Sequence, residues 1–136
     1  MSELFGDEHV SRYVATDGEE GFTWREGSEI LLLTVTGRKS GREIVKPLIF
    51  GRDGDNLLLV ASKGGAPQHP DWYLNLVANP EVGVQVKADV FRARARTAAG
   101  EERERLWRLM NLEWPYYDEY QTRTEREIPV VVLERI

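Results

Sequence analysis

Apolar residues in the first half of the chain fall into short runs separated by turn-forming residues. Residues 29–36 read EILLLTVT, a compact apolar run with β-branched residues near its end, which is typical of a buried strand. Two further runs, at 43–51 and 57–62, are joined by Asp53-Gly54, a pair that favours a tight hairpin turn. The pattern therefore predicts three successive strands connected by short turns.

The middle of the chain combines one helical pattern with two alternating ones. Pro70 suits the first position of a helix, and Asn79-Pro80 ends the helix that it opens. Residues 82–87 and 90–97 alternate apolar and polar side chains, which is the pattern of a strand with two unlike faces. We therefore expect a helix followed by a pair of strands.

The C-terminal third predicts a helix and a strand separated by an aromatic segment. A helix is expected to open at Gly100, where Glu101 and Glu102 suit the positive end of its dipole. The segment 114–123 reads WPYYDEYQTR, and residues 128–136, IPVVVLERI, form a last apolar run. This run is expected to close the chain as a buried strand.

Together these elements predict a mixed α+β fold that is mainly β. About six mostly antiparallel strands and two main helices suit a small β-barrel with the helices packed outside it. Pro47 cannot donate a ladder hydrogen bond, so an edge, a bulge or a barrel seam is expected there. The length suits one domain over 1–136, in which the polar, glycine-containing residues 1–28 form an irregular segment.

Composition narrows the function classes. The chain has no cysteine, which excludes disulfide and thiol chemistry and is compatible with an intracellular setting. Its net charge of −5 argues against general nucleic-acid binding. No apolar run approaches the ~18 residues of a spanning helix, and the N-terminal MSELFGDEHV does not resemble a signal peptide. A cytoplasmic protein without a membrane span is therefore expected.

A basic turn, GRKSG at 37–41, stands out on this acidic chain. A solvated hairpin turn is the simpler interpretation. However, backbone N–H groups freed by glycine, the Ser40 hydroxyl and the cations Arg38 and Lys39 are also the groups that hold a phosphate. The spacing is not that of a Walker loop. On this turn alone, both interpretations remain open.

A second basic loop, ASKGGAPQHPDWYLN at 61–75, places Ser62 and Lys63 between a strand end and a helix N-terminus, a position that attracts anions. Trp72 offers a flat apolar face, and Asn75, one turn later, can hydrogen-bond the edge of a heterocycle. The alternative is a loop shaped by glycine and proline, with Trp72 in the core. Two basic loops, each at a strand end, together favour a shared ligand more than either loop does alone.

Three aromatic residues, Trp114, Tyr117 and Tyr120, recur at a spacing of three and would share a face of a helical turn. A core stripe is the commoner outcome of such a pattern. Buried tyrosine hydroxyls need partners, however, and the proline in this segment suggests a lid over a cavity. We therefore favour a pocket lined by these residues.

The remaining candidate chemistries are weaker. Arg92, Arg94 and Arg96 occupy one face of a predicted strand, and a solvated outer face is favoured over a site for an acidic cofactor tail. His9 and His69 are the only histidines, so no metal site is expected. Neither a nucleophile elbow nor a Rossmann fingerprint is present.

Three segments, TVTGRKSGRE, VASKGGAPQHPDWYLNLVANPEV and WPYYDEYQTRTEREIPVVVLE, resemble in order the deazaflavin-dependent nitroreductase and quinone reductase family of actinobacteria. The N-terminal YVATDGEEGFTWREG is also similar to soluble members, so the resemblance covers nearly the whole chain. It implies a split β-barrel of the flavin-reductase type. It also implies the cofactor 8-hydroxy-5-deazaflavin with its phosphate and polyglutamate tail, coenzyme F-420, with FMN a less favoured candidate.

The resemblance also implies roles for individual residues. Those that would hold the phosphate region are Arg38, Lys39 and Ser40. The strand beside the cofactor would comprise Ile44, Val45, Lys46, Pro47, Leu48 and Ile49. Residues that would meet the deazaflavin are Val60, Ala61, Ser62 and Lys63. The same site would be closed by Asp71, Trp72 and Asn75. The substrate side would be formed by Trp114, Tyr117 and Tyr120, with Tyr117 nearest the reacting ring.

The chain departs from the family pattern at three positions. Ile44 stands where relatives often carry a basic residue, and Lys46 stands where they carry a small polar one. Because Lys46 shares a strand face with Ile44, it is a candidate to replace the missing charge. Trp114 stands where some relatives have tyrosine, which would narrow the pocket. The longer apolar N-terminus of membrane-associated relatives is not found, so we expect a soluble protein with at most peripheral contact at a membrane face.

The resemblance implies hydride transfer from the reduced deazaflavin to a quinone, a nitroaromatic compound or a similar electrophile, without a metal. A hydroxyl of Tyr117 or Ser62 would polarise or protonate the acceptor oxygen. Residues 1–28 are expected to cover the site. The alternatives are a non-catalytic deazaflavin or flavin carrier and an FMN-dependent reductase. Barrels of this kind often pair, so a homodimer is also considered.

Overall fold

The computed structural model describes residues 4–136, which form one curled sheet and four α-helices. The strands are β1 (Ile30–Thr36), β2 (Glu43–Ile49), β3 (Gly51–Asp53), β4 (Asn56–Val60), β5 (Glu81–Val86), β6 (Asp89–Thr97) and β7 (Val130–Arg135). The helices are α1 (Gly6–Thr16), α2 (Asp71–Ala78), α3 (Gly100–Glu113) and α4 (Tyr117–Thr122). Among residues 4–136, no helix combines the length and apolar character needed to cross a bilayer.

The order of the strands requires the sheet to curl. The order is β2-β1-β5-β6-β7-β4-β3, and every neighbouring pair is antiparallel. β2 and β3 therefore lie at opposite edges of the sheet, although Phe50 alone separates them in sequence. A flat sheet cannot satisfy both conditions, so its edges come together in a half-barrel. The prediction of a mainly β split barrel with outer helices is confirmed.

The second predicted strand, 43–51, is divided at Phe50, which accounts for the additional strand. Phe50 is fully buried, and its backbone N–H donates to the Glu29 carbonyl at 3.1 Å, where the chain turns the barrel corner. Gly51 begins β3 beneath α3. A Cβ atom at Gly51 would come within 2.5 Å of Met110 Sδ, so a larger residue here would displace the buried Met110 side chain of α3.

The prediction that residues 1–28 are irregular is wrong for the segment that forms α1. This helix buries only His9 and Tyr13, which are four residues apart, and this narrow apolar stripe explains why periodicity did not reveal it. Tyr13 anchors the helix, since its hydroxyl donates to the Ile30 carbonyl at 3.0 Å and accepts from the Lys87 backbone N–H at 2.7 Å.

The core consists of two apolar clusters, one inside the barrel and one under α3 and α4. The barrel cluster includes Leu31, Leu33, Phe50, Leu59, Trp72 and Val84. The outer cluster includes Leu58, Leu106, Met110, Trp114, Tyr117 and Val132. Trp24 and Ile49 pack against both clusters. The boundary between the clusters is therefore where the N-terminal segment meets the end of β2.

Candidate functional site

A cavity of about 440 Å³ lies at this boundary, a size that suits a small organic ligand. Three strand ends, one helix and the aromatic segment contribute to its walls. The predicted site residues that line it are Pro47, Leu48, Ile49, Val60, Ser62, Lys63, Trp72, Trp114, Tyr117 and Tyr120. Segments far apart in the sequence thus meet around one space, with apolar residues from β2 and aromatic residues from the segment after α3 in its lining.

The aromatic wall is organised by the end of α3 and by α4. Pro115 follows α3, and the Asn111 side-chain oxygen accepts from the Asp118 backbone N–H at 2.9 Å, which caps the first turn of α4. Asp118 in turn accepts from the Trp107 indole N–H at 2.6 Å. These bonds hold Tyr117 at the start of α4, where its side chain reaches the cavity.

The Tyr117 side chain is only 4% exposed. This burial is the main cause that raises the Tyr117 pKa well above its usual range, and the nearby Tyr120 and Glu113 raise it further. Its hydroxyl therefore remains protonated at physiological pH and can act as a hydrogen-bond donor. The neighbouring Trp114 indole N–H donates to the Tyr120 hydroxyl at 3.3 Å. The two outer aromatic side chains thus fix each other beside Tyr117.

The N-terminal segment forms a further wall of the cavity, lined by Leu4, Phe5, Gly6, His9 and Trp24. The Trp24 ring stacks on Trp114 with 5.9 Å between the ring centroids, and its indole N–H donates to the Leu4 carbonyl at 3.2 Å. Phe5 meets Trp24 edge-on. The sequence predicted that residues 1–28 cover the site but did not single out these side chains, because no local pattern indicates that Trp24 faces Trp114.

The basic turn is closed by its own backbone. Gly37 N–H donates to the Arg42 carbonyl at 2.8 Å, and Gly41 N–H donates to the Gly37 carbonyl at 2.8 Å. The Ser40 hydroxyl oxygen accepts from the Arg42 backbone N–H at 3.2 Å. Ser40 therefore stabilises the turn from within, while Lys39 is exposed at its tip.

The same turn is joined to α2 through Arg38. The buried Asn75 side-chain oxygen accepts from the Arg38 backbone N–H at 3.0 Å and from its guanidinium at 2.8 Å. The Arg38 guanidinium also lies 3.5 Å from the exposed Asp71 carboxylate. Arg38, Asp71 and Asn75 do not line the cavity, but they belong to one polar cluster on the helix that supplies Trp72 to it.

Six other predicted residues also lie outside the cavity lining, including Lys39 and Ser40 of the basic turn. Ile44 and Val45 pack against the barrel core, and Ala61 is fully buried. Lys46 is exposed and pairs with Leu33 across the β1–β2 ladder. Their predicted contacts with a cofactor remain predictions.

The arginine face of β6 pairs largely with carboxylates. Arg96 donates to both Glu102 oxygens, at 2.6 and 2.9 Å, and lies 3.5 Å from Glu134. Arg94 lies 3.5 Å from Glu81. These contacts support a solvated outer face over an anion site, because the charges are already partly neutralised.

The comparisons with known proteins agree with one another. The family described as F420H(2)-dependent quinone reductase matches residues 6–135. An F420H(2)-dependent quinone reductase of Mycobacterium tuberculosis is 41% identical over 130 residues, which cover 93% of this chain and 87% of that protein.

Solved structures give the same result. One described as an F420-H2 dependent reductase (FDR-A) is 47% identical, with a TM-score of 0.72 over 77% of this chain and 93% of that one. Another, described as a domain-swapped dimer, is 43% identical, with a TM-score of 0.76 over 93% of this chain and 95% of that one.

The barrel itself is shared more widely than the family. HutZ, a heme storage protein from Vibrio cholerae, has a TM-score of 0.59 at 13% identity, which shows a common fold only. The family match, by contrast, extends over nearly the whole sequence and is supported by relatives above 40% identity. This chain therefore belongs to the F420H(2)-dependent quinone reductase family, an oxidoreductase family whose cofactor is coenzyme F-420.

Proposed function

We propose that this protein reduces a quinone with reduced coenzyme F-420 in the cavity between β2 and α4. The observation that carries the proposal is the meeting of two unlike walls around one space. Pro47 and Ile49 supply an apolar wall, and Trp114 and Tyr117 supply an aromatic wall with a protonated hydroxyl. Such a space suits two planar molecules lying against each other, as hydride transfer requires.

The residues present fit the cofactor. A deazaflavin ring needs apolar surfaces, which the β2 residues and Trp72 provide, and its phosphate and glutamates need cations. Lys63 lines the cavity, and Lys39 lies exposed on the basic turn. Asn75 and Asp71 use only part of the five N–H groups of Arg38, so N–H groups remain for an anion.

When bound, the reduced cofactor supplies the hydride. The chain's part is to orient both reactants and to stabilise the oxygen that becomes negative as the quinone ring accepts that hydride. The raised pKa of Tyr117 favours a hydrogen bond to this oxygen over complete transfer of the phenolic proton. The proton that completes the hydroquinone then comes from water. After Tyr117, the Ser62 hydroxyl is the second candidate to donate a hydrogen bond to this oxygen.

Turnover of a simple quinone tests the proposal directly. Protein is mixed with reduced F-420 and menadione, and reoxidation of the cofactor is followed by absorbance. A rate above the protein-free control is expected. If none is found across several quinones and nitro compounds, the enzymatic proposal is overturned.

Nitroaromatic compounds are a second acceptor class in this proposal, because they are also flat electrophiles whose oxygen becomes negative on reduction. The same cavity lined by Trp114, Tyr117 and Tyr120 would receive them. Values of kcat/KM for menadione and for a nitroaromatic compound of similar size would rank the two classes.

Two rival functions make different predictions. A non-catalytic carrier would bind F-420 tightly, and no acceptor would discharge the reduced form. An FMN-dependent reductase would bind FMN more tightly than F-420, since the basic turn suits any cofactor with a phosphate. Fluorescence titration with both cofactors, performed beside the rate assay, separates all three functions.

We also propose that the charge of Lys46 replaces the basic residue that relatives often carry at the position of Ile44. These residues lie two positions apart on β2 and pair with Leu33 and Val35 of β1. Replacing Lys46 with alanine should then weaken binding of F-420 with a long glutamate tail more than binding of a form with a short tail.

The assembly and location of the protein are also proposals. The relative described as a domain-swapped dimer supports a homodimer here, which light scattering on the purified protein would test. We propose a cytoplasmic protein with at most peripheral contact at a membrane face. Fractionation of cells would test this, because a peripheral protein is released from membranes by salt.

A further inference from the structure

Arg126, in the segment between α4 and β7, joins that segment to the loop that carries Ser62 and Lys63. Its Nε donates to the Ala66 carbonyl at 2.9 Å, and one terminal nitrogen donates to the Ser62 carbonyl at 2.8 Å. The other terminal nitrogen contacts the Ala61 carbonyl at 3.2 Å and His69 Nδ1 at 3.1 Å. One side chain thus contacts four residues of the connection between β4 and α2.

These contacts leave Arg126 little capacity to bind an anion. Four of the five N–H groups of a guanidinium are used, and three of the acceptors are backbone carbonyls. The fourth acceptor is His69, whose pKa is lowered by its burial and by the Arg126 charge, which favours the neutral imidazole. The geometry depends on a planar fork, which a lysine ammonium cannot reproduce.

The loop needs an external support because its own backbone is unusual. Lys63, Gly64 and Gly65 all have positive φ, of 46°, 62° and 85°. Within the loop, Gly65 N–H donates to the Ser62 carbonyl and Ala66 N–H donates to the Lys63 carbonyl. From outside the loop, Arg123 donates to the Gly64 carbonyl at 3.4 Å, and the Arg126 contacts hold both of the loop's ends.

We infer that Arg126 is a positioning residue, which holds Ser62 and Lys63 in the orientation in which they face the cavity. This inference rests on the proposed function, because it assigns those two residues to the cofactor. Arg126 acts through the loop and does not line the cavity itself. No period or motif distinguished it from the other arginines of the C-terminal third, so only the folded chain reveals this role.

Arg126→Lys tests the inference, because it keeps the charge and removes the fork. We expect faster hydrogen exchange at the amides of Gly65 and Ala66 in the cofactor-free protein. We also expect at least a tenfold weaker Kd for F-420, measured by fluorescence titration. Arg108→Lys, the same change at an exposed site on α3, is the matched control and should change neither quantity.

The test must separate general destabilisation of the protein from loss of the loop's orientation. Val84→Ala, in the barrel core away from the loop, provides a destabilised reference, and both variants are assayed well below their Tm. If the reference loses as much F-420 affinity as Arg126→Lys, or if Arg126→Lys binds like the parent, the inference is overturned. In Arg126→Ala, millimolar guanidinium but not ammonium should restore part of the affinity, a rescue that general destabilisation would not show.

Hydrogen exchange distinguishes failure of this inference from failure of the proposed function. It is measured without cofactor or quinone, so it reports on the loop even if the parent protein turns over no acceptor. Unchanged exchange at Gly65 and Ala66 in Arg126→Lys overturns the positioning role while leaving quinone reduction untouched. If Arg126→Lys exchanges faster but the parent protein turns over no acceptor, the proposed reaction is overturned instead.

Discussion

The Asn75 side-chain oxygen accepts two hydrogen bonds from one residue, Arg38. The backbone N–H donates at 3.0 Å and the guanidinium at 2.8 Å. Asn75 is only 4% exposed, so this oxygen depends on Arg38 rather than on water. The pair therefore fixes the basic turn to α2, and α2 carries Trp72 into the cavity wall.

Replacing Asn75 with leucine should destabilise the protein and weaken cofactor binding together. Both bonds to Arg38 are lost, and hydrogen bonds to charged groups contribute about 1.5–3 kcal/mol to stability. Urea unfolding measures the free energy, and fluorescence titration measures the F-420 affinity. Asn79→Leu, at the exposed end of the same helix, is the matched control. A variant of Asn75 that binds F-420 like the parent would show that docking of the turn does not matter for the site.

Arg38→Ala and Lys39→Ala should both weaken F-420 binding, but only Arg38→Ala should lower the stability of the protein. Arg38 both docks the turn and offers charge, so Arg38→Ala should lower stability as well as F-420 affinity. Lys39 is exposed, so Lys39→Ala should weaken binding by roughly three- to tenfold at unchanged Tm, with less effect in high salt. If both variants bind F-420 normally, the basic turn is only a turn.

Tyr117→Phe should reduce turnover and leave cofactor binding nearly unchanged. The raised pKa keeps the hydroxyl protonated, and loss of one donor to a developing oxyanion costs on the order of 10²-fold in kcat. Steady-state kinetics with menadione and F-420 titration measure the two effects. Tyr116→Phe, which removes a hydroxyl bonded to Glu26, is the control. Equal losses of kcat and F-420 affinity in Tyr117→Phe would contradict the proposed donor role.

Local pattern predicted most of the fold because strand and helix signals are local. The apolar run at 29–36 and the alternation at 90–97 became β1 and β6, within a residue or so at each end. The break at Phe50 was not predictable, since it depends on closure of the barrel between strands at opposite edges of the sheet. Helix α1 was missed because only two of its residues are buried, which leaves no helical periodicity to read.

The site was predictable only in parts. Strand ends, turn chemistry and aromatic spacing identified residues such as Ser62, Lys63 and Tyr117 as candidates. The contacts that bring the parts together join residues distant in sequence, as Trp24 and Trp114 show, and no local period encodes such a contact. Arg126 illustrates the same limit, because its four partners lie on a different part of the chain.

Stability should fall as the pH drops below 6.5, and His69 should be one cause. Burial and the Arg126 charge lower the pKa of His69 from its usual value of 6.5. The unfolded chain therefore binds a proton before the folded one does, so folding loses stability from pH 6.5 down to the lowered folded-state pKa. His69→Asn keeps an acceptor for Arg126 and should flatten this part of the profile. Parallel stability curves for parent and variant between pH 7 and pH 5 would contradict the assignment.

Gly65→Ala should disturb the loop more than the same change one residue earlier. A Cβ atom at Gly65 would come within 2.5 Å of the Tyr120 carbonyl oxygen, whereas at Gly64 it would meet no atom within 4 Å. Both glycines have positive φ, so both variants incur left-handed strain of about 1–2 kcal/mol.

Only Gly65→Ala adds overpacking against α4, which brings its expected cost to about 2–5 kcal/mol. Because α4 carries Tyr117 and the loop carries Lys63, the same displacement should open the cavity and weaken F-420 binding. Urea unfolding and fluorescence titration on the two variants separate the effects. If Gly64→Ala loses as much F-420 affinity as Gly65→Ala, the loop's own conformation, rather than its contact with α4, sets the shape of the site.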